Sequence, residues 1–261
     1  MNNVLDIGPL SKRLALKLCG PRLRSGLRRS YLTWQVSRGG GPREPESGYL
    51  EQLLRPGDAV ADLGANVGLY TMLFSSLVGV NGMVCSCEPI LENFLILQSV
   101  IRKAKITNVR LFRAALGAHT GSREMIIPTS DDFAFAGYYQ AHFSDGQERG
   151  QTERVDVLTL DQLWADKTID RLDFVKCDVE GAELEIFKGG PSVIKAQLPG
   201  WLMEVSRPTS HAVFQAFKEL GYRAFVYDGG LVPTEDYRDR EFSNYFFLHP
   251  RSKIGQRASV K

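Results

Sequence analysis

Val60-Ala-Asp-Leu-Gly-Ala-Asn-Val-Gly-Leu-Tyr-Thr71 is the stretch on which the reading of this 261-residue chain turns. An apolar strand ends in a carboxylate, Asp62, and the chain passes through Gly64 and Gly68 into an uncharged helix. Glycines at such a turn let backbone amides approach a ligand closely, and the helix N-terminus behind them favours negative ligand groups. A dinucleotide fingerprint would need glycines at 64, 66 and 69, but Asn66 and Leu69 stand there. The stretch therefore reads as the seat of a nucleoside without pyrophosphate. A tight turn with no ligand is the plainer alternative.

Outward from this turn the pattern is regular. Strand Ala59–Leu63 leads into a helix over Val67–Leu77, where Leu69, Met72, Leu73 and Leu77 repeat at helical spacing. Strand Met83–Cys87 is followed by Glu88-Pro89 and a helix carrying Ile90, Phe94, Leu97 and Ile101, with Pro89 suited to a first helical position. Further strands are expected at Val109–Ala114, Leu172–Cys177 and Trp201–Val205. Helix Ser210–Leu220 has Thr209 as its candidate cap, and Tyr222–Tyr227 and Asn244–Leu248 would form a closing pair. Strands separated by helices of this length argue for βαβ units and a parallel sheet. The uncharged run from Leu63 to Cys87 is broken by the Gly64–Gly68 turn and by Asn81-Gly82. What remains is shorter than the roughly 20 apolar residues a membrane span needs.

Residues 118–158 interrupt the alternation. Arg123–Ile127 reads as a strand, followed by a loop with Phe133, Phe135, Tyr138, Tyr139, His142 and Phe143. Long loops in compact domains are usually functional, so this one reads either as a substrate-facing flap or as aromatic cover for the sheet.

With 43% hydrophobic and 10% aromatic residues, the chain can bury one sizeable core. Its net charge of +2 is unevenly spread: residues 1–50 carry +6 and the remainder −4. This divides the chain into a basic arm (1–45), a mildly acidic domain (46–250) and a polar tail (251–261) expected to fray. An acidic domain argues against a nucleic-acid partner. The arm, with an expected basic helix near Ser11 to Leu18, suits peripheral contact with a membrane surface or an acidic partner, or simple packing on the domain. Cys19, Cys85, Cys87 and Cys177 form no Cys-x-x-Cys motif and the four histidines no ligand spacing. No metal is indicated. Reduced, packed cysteines and the lack of a signal-like apolar core after the arm's basic residues lead us to expect a cytoplasmic protein.

Glu88 follows Asp62 by one βα unit, at the end of the next strand. In an open parallel sheet such positions line the ligand crevice, where a carboxylate can accept hydrogen bonds from ribose hydroxyls. Asp62 would then face a cationic part of the ligand, as in S-adenosylmethionine. Glu88 could instead serve only the helix start that follows it.

At this point a resemblance becomes specific. The chain is similar to the FkbM family of S-adenosylmethionine-dependent methyltransferases. The matching elements are Pro56-Gly57-Asp58, the Asp62–Thr71 run, Cys87-Glu88-Pro89, Asn108-Val109, Ala115-Leu116-Gly117 and Leu160-Asp161, then Lys176-Cys-Asp-Val-Glu-Gly-Ala-Glu183 and Met203-Glu204-Val205. The resemblance implies an α/β class I methyltransferase (Rossmann-like) fold. Its sheet would have seven strands, mostly parallel with one antiparallel, and helices on both faces. It also implies O-methylation of a hydroxyl on a sugar, glycan or secondary metabolite. The turn and the matched motifs nominate Asp62, Gly64, Asn66, Gly68, Tyr70, Glu88 and Ala115 for cofactor binding. Asp178 is the first candidate for orienting or deprotonating the acceptor and Glu180 the second. His142 is an alternative base, and Lys176 with Glu204 could tie these acids into a buried charge network instead. The competing functional reading is a non-catalytic nucleoside-binding module docked through its basic arm.

Overall fold

The computed structural model of the chain describes residues 21–39, 41–128, 140–144, 150–237 and 243–259. Helices α1 (Pro21–Ser37) and α2 (Glu46–Leu53) precede the first strand. Then β1 (Ala59–Leu63), α3 (Leu69–Val78), β2 (Met83–Cys87), α4 (Leu91–Lys103) and β3 (Val109–Phe112) alternate. β4 (Ala115–Leu116), β5 (Gly121–Pro128), β6 (His142–Phe143) and β7 (Gly150–Leu158) follow as a run of strands. The alternation resumes with α5 (Leu160–Ala165), β8 (Phe174–Cys177), α6 (Glu183–Lys188), α7 (Pro191–Gln197), β9 (Gly200–Glu204), α8 (Ser210–Glu219) and β10 (Arg223–Tyr227). β11 (Leu231–Thr234), β12 (Asn244–Leu248) and α9 (Lys253–Arg257) complete the order.

The main sheet has the order β11-β10-β12-β9-β8-β1-β2-β3. β1 lies at its centre, buried along its whole length and paired in parallel with β2 and β8. A strand covered on both faces has to be apolar throughout, and Ala59–Leu63 is so except for Asp62. The β9, β12 and β10 pairings are antiparallel, so β12 runs against the strands on either side of it. This is the expected mostly parallel sheet with one reversed strand. The eighth strand, β11, is an addition to the expected seven; it folds back on β10 as an antiparallel edge. Its single apolar pair, Leu231 and Val232, left little strand signal in the sequence.

Side chains alternate between two core layers, one on each face. On β9, Trp201 and Met203 enter one layer and Leu202 the other; on β12, Tyr245 and Phe247 oppose Phe246 and Leu248. In the first layer Phe217 of α8 stacks on Phe247 with ring centroids 4.0 Å apart and meets Trp201 edge-on at 5.4 Å. These aromatic contacts fix α8 to the sheet.

Several local expectations are corrected. Pro89 precedes the helix rather than starting it, because Ile90 is the N-cap and is held extended. The Thr209 hydroxyl does not cap α8; it donates to Glu183 Oε2 at 2.9 Å. The tail does not fray at 253–257, where Ile254 is fully buried and Lys253 and Arg257 both bond to Asp58. The helix expected near Ser11–Leu18 lies outside the described residues, as do Phe133, Phe135, Tyr138 and Tyr139. Within the flap region, β4-β7-β5-β6 form a second sheet whose Met125, Ile127, Val155 and Val157 pack on Ile90 and Ala115. Cys85, Cys87 and Cys177 are buried free thiols. No helix among the described residues is long and apolar enough to cross a membrane.

Candidate active site

The turns after β1, β2 and β8 meet at the carboxyl end of the sheet, where they frame a cleft of about 620 Å³, solvent-facing space included. Gly64 makes this meeting feasible. Its φ is +78°, and a Cβ there would lie 1.9 Å from the Asp178 carbonyl oxygen. Any side chain would push the β1 and β8 turns apart. Gly64 and Ala65 both donate to the Cys87 carbonyl at 3.0 Å, which ties the first turn to the end of β2. Gly68 plays a different part. With φ +97° it starts α3, and a Cβ would fall 2.4 Å from Leu97 Cδ1, so it sets how closely α3 and α4 approach.

Glu88 is 4% exposed and lines the cleft. Its Oε2 accepts from the Asn66 amide at 2.8 Å and its Oε1 from the Ile90 amide at 2.9 Å. Burial pushes its pKa up to about 7, against the lowering effect of these amides and of the Asn93 side chain. Asp62 is fully buried. Its Oδ2 accepts from Thr71 Oγ1 at 2.6 Å, while Oδ1 is buried without a hydrogen bond. Burial raises the Asp62 pKa, and the charge of Lys176 partly counters this.

On the other side of β1, Lys176 Nζ donates to Asp178 Oδ2 at 2.7 Å and sits 4.7 Å from the centre of the Tyr70 ring. Burial disfavours the Lys176 ammonium, yet Asp178 and Asp62 outweigh it, and the lysine's pKa is raised. Burial likewise disfavours the Asp178 carboxylate, but Lys176 more than compensates and holds its pKa below the usual range. Glu204, at the end of β9, hydrogen-bonds Asp178, and burial together with the Asp178 charge raises it to about 8. The upward shift favours the protonated Glu204 carboxyl, which is the form that donates to Asp178. Glu180, exposed at the cleft edge with φ +49°, is raised by partial burial and by Asp178, and His142 opposes that shift.

Among the nominated residues, Gly64, Asn66, Glu88, Ala115, Asp178 and Glu180 line the cleft together. Asp62 and Gly68 lie beneath it. Tyr70 does not line it either: in the first turn of α3 its ring faces the core, 5.7 Å from that of Phe74. The remaining wall includes Met125, Ala141 and Phe143. Met125 and Phe143 belong to the second sheet and Ala141 directly precedes β6. The sequence places Phe143 in the candidate flap and Met125 in a strand, but not against this cleft.

A profile of the methyltransferase FkbM domain matches residues 62–224. The chain belongs to the FkbM family of methyltransferases. Among curated proteins none matches the sequence. The solved FkbM methyltransferase of Methylobacillus flagellatus KT superposes with a TM-score of 0.50 at 16% identity, over 85% of this chain and 59% of that one. This chain thus spans about three-fifths of that protein's length. A SAM-dependent O-methyltransferase from Thermotoga maritima gives 0.40 at 11% identity, covering 84% and 72%. Fibrillarin from Aeropyrum pernix, bound to S-adenosyl-L-methionine, gives 0.41 at 12%, covering 82% and 74%.

The FkbM motifs divide by role. Several are structural pins. Asn108 donates to the Ser75 and Gly79 carbonyls at 3.0 and 2.8 Å, closing the end of α3. Asp161 accepts from the Ser192 and Val193 amides and so caps α7. Glu183, 1% exposed, accepts from the Gly181 amide, Ser206 Oγ and Thr209 Oγ1 at 2.8–2.9 Å, fastening the β8 turn to the β9 turn. Others fit the family's cofactor, S-adenosylmethionine. Glu88 accepts from two amides and from the Asn93 side chain, which leaves one of its roughly four lone-pair sites for a ribose hydroxyl. The Asp62 oxygen without a hydrogen bond would suit a cationic group above it, and the bare Gly64 lets the β1 and β8 turns meet at the cleft.

Proposed function

We propose that the chain is an S-adenosylmethionine-dependent O-methyltransferase acting on a hydroxyl of a small molecule or glycan. The observation that carries this reading is the placement of Glu88 and Asp178 on either side of the Gly64 turn, lining one cleft. Bound S-adenosylmethionine would supply an electrophilic methyl group on a sulfonium. Glu88 would hold the ribose, with Asp62 supplying negative charge beneath the turn. Asp178, ionised and anchored by Lys176, would accept the hydrogen bond of the acceptor hydroxyl and aim its lone pair. Glu180, exposed and with a raised pKa, would carry the released proton to water. The wall of Met125, Ala141 and Phe143 would exclude water from the acceptor's apolar parts.

A thermal-shift assay tests the cofactor half. S-adenosylhomocysteine should raise the melting temperature of wild type but not of Glu88→Ala, and NAD should not. Stabilisation by NAD alone would defeat the reading. Turnover tests the acceptor half: with a panel of hydroxylated sugars and phenols, Asp178→Asn should still bind cofactor and lose methyl transfer. An Asp178→Asn enzyme with full turnover would remove that residue from the mechanism.

A further inference from the structure

Helix α1 presents two apolar faces, and the domain uses only one of them. Leu32 and Val36 are 1% exposed and pack with Val67, Ile96 and Val100. Arg28, 5% exposed, donates to Asn93 Oδ1 at 2.9 Å, and Arg29 pairs with Glu92 at 2.6 Å. On the opposite face Leu23, Leu27, Tyr31 and Trp34 are 44–56% exposed. Their spacing of four, four and three residues keeps them within one narrow stripe of the helix. Tyr31 and Trp34 stack with ring centroids 6.5 Å apart, and the Arg38 guanidinium covers Trp34 at 5.1 Å. A lone exposed leucine needs no explanation, but a continuous stripe of this kind does.

We infer that this stripe is a docking surface for an anionic lipid bilayer. Leucine with tryptophan and tyrosine is the composition of an interfacial helix face, since the aromatic rings place an apolar body and a polar tip at the headgroup boundary. The charge matches as well. Residues 1–50 carry a net +6 on an otherwise acidic chain, and Arg38 and Arg43 stand exposed beside the helix. A protein partner with an apolar groove has no such need of surrounding positive charge, whereas an anionic bilayer attracts it. The helix is also fastened at the cleft end of the domain: Arg28 bonds Asn93, and Asn93 bonds Glu88. A bilayer holding α1 would therefore hold the cofactor end of the cleft close to its surface.

Sedimentation of the full chain with phosphatidylcholine vesicles, with and without phosphatidylserine, is the test. Wild type should bind the phosphatidylserine vesicles, weaken with salt, and lose at least about tenfold in affinity in Leu27→Glu/Trp34→Glu. The variant should keep the melting temperature of wild type, because both side chains face away from the domain. Binding that is equal on neutral vesicles, or unchanged in the variant, would overturn the proposal. So would a concentration-dependent dimer that the variant abolishes while wild type ignores vesicles.

Discussion

The two ends of the central strands handle buried charge in opposite ways. At the amino ends, Asp58 and Asp173 are matched by cations. Lys253 Nζ lies 2.6 Å from Asp58 and 3.4 Å from Asp173, Arg257 bonds Asp58, and Arg171 bonds Asp173 at 2.8 Å. Burial works against the Asp58 carboxylate, but hydrogen bonds from Arg257 and Lys253 prevail and its pKa is lowered. At the carboxyl ends, Asp62, Asp178 and Glu204 gather around Lys176 while Glu88 has no cation partner, and the cleft lining contains neither lysine nor arginine among the described residues. There Asp62, Glu88 and Glu204 are raised, and only Asp178, beside the lysine, is lowered. The first end is arranged for stability. The second gives its acids a single lysine and leaves Glu88 without one, an arrangement that would suit a cationic ligand.

The largest effect that would separate the two ends comes from Asp58→Ala. It leaves Lys253 with Asp173 alone and Arg257 with only the Leu53 carbonyl, and should lower unfolding stability by about 2 kcal/mol, with cofactor affinity of the native protein unchanged. Denaturant titration and calorimetry measure the two quantities. A variant as stable as wild type would break the comparison at the amino end.

Close to it in size, Glu88→Gln should weaken S-adenosylhomocysteine binding by roughly 30-fold, about 2 kcal/mol, while stability without ligand moves by less than about 1 kcal/mol. The reverse pattern would make Glu88 a helix-start residue and nothing more.

The ends should also respond to pH with opposite signs. Glu88 and Glu204 have folded-state pKa values near 7 and 8, above their unfolded value of 4.5. Their contribution is fully present below that unfolded value and is lost as pH rises through 7 and 8, at up to about 1.4 kcal/mol per pH unit per proton. Asp58 is lowered from 3.8, so its contribution is present above that value and disappears as pH falls through its folded pKa. Melting temperature against pH should therefore decline on both sides. Ribose binding favours the ionised Glu88, so cofactor affinity should instead increase as pH rises through about 7. A flat stability profile between about pH 4.5 and 8 would show that the carboxyl end is better compensated than the structure indicates.

The smallest effect sharpens the assignment of the shared proton. Glu204→Gln replaces a protonated carboxyl with an amide that still donates to Asp178. At about pH 4, below the unfolded value of 4.5, it should change stability by less than about 0.5 kcal/mol. Between about pH 4.5 and 8 it should remove the part of the stability loss that Glu204 contributes.

Much of this was legible along the chain. Ala59–Leu63 and Met83–Cys87 were readable to the residue, because buried parallel strands are short apolar runs bounded by turn residues. The Asp62–Gly68 turn was readable because few residues besides glycine tolerate its backbone angles. Tyr70, nominated for the cofactor, has its ring in the core, since a residue beside a glycine turn can face the ligand or the core and the spacing does not decide between them. The second sheet was harder still. β5 and β7 are separated in sequence and acquire meaning only when Gly121–Pro128 pairs with Gly150–Val157.

The amino-acid sequence by itself determined the βα alternation, the turn that replaces a pyrophosphate cradle, and the family, because these rest on local backbone preference and on motifs contiguous in the chain. Tertiary structure alone decided which acids are matched. Asp58 meets Lys253 and Arg257 from the far end of the chain. Asp178 meets Lys176 through strand alternation and Glu204 through the pairing of β8 with β9. The charge state of a carboxylate is set by the solvent it loses and the neighbours it gains, and both are properties of packing rather than of sequence.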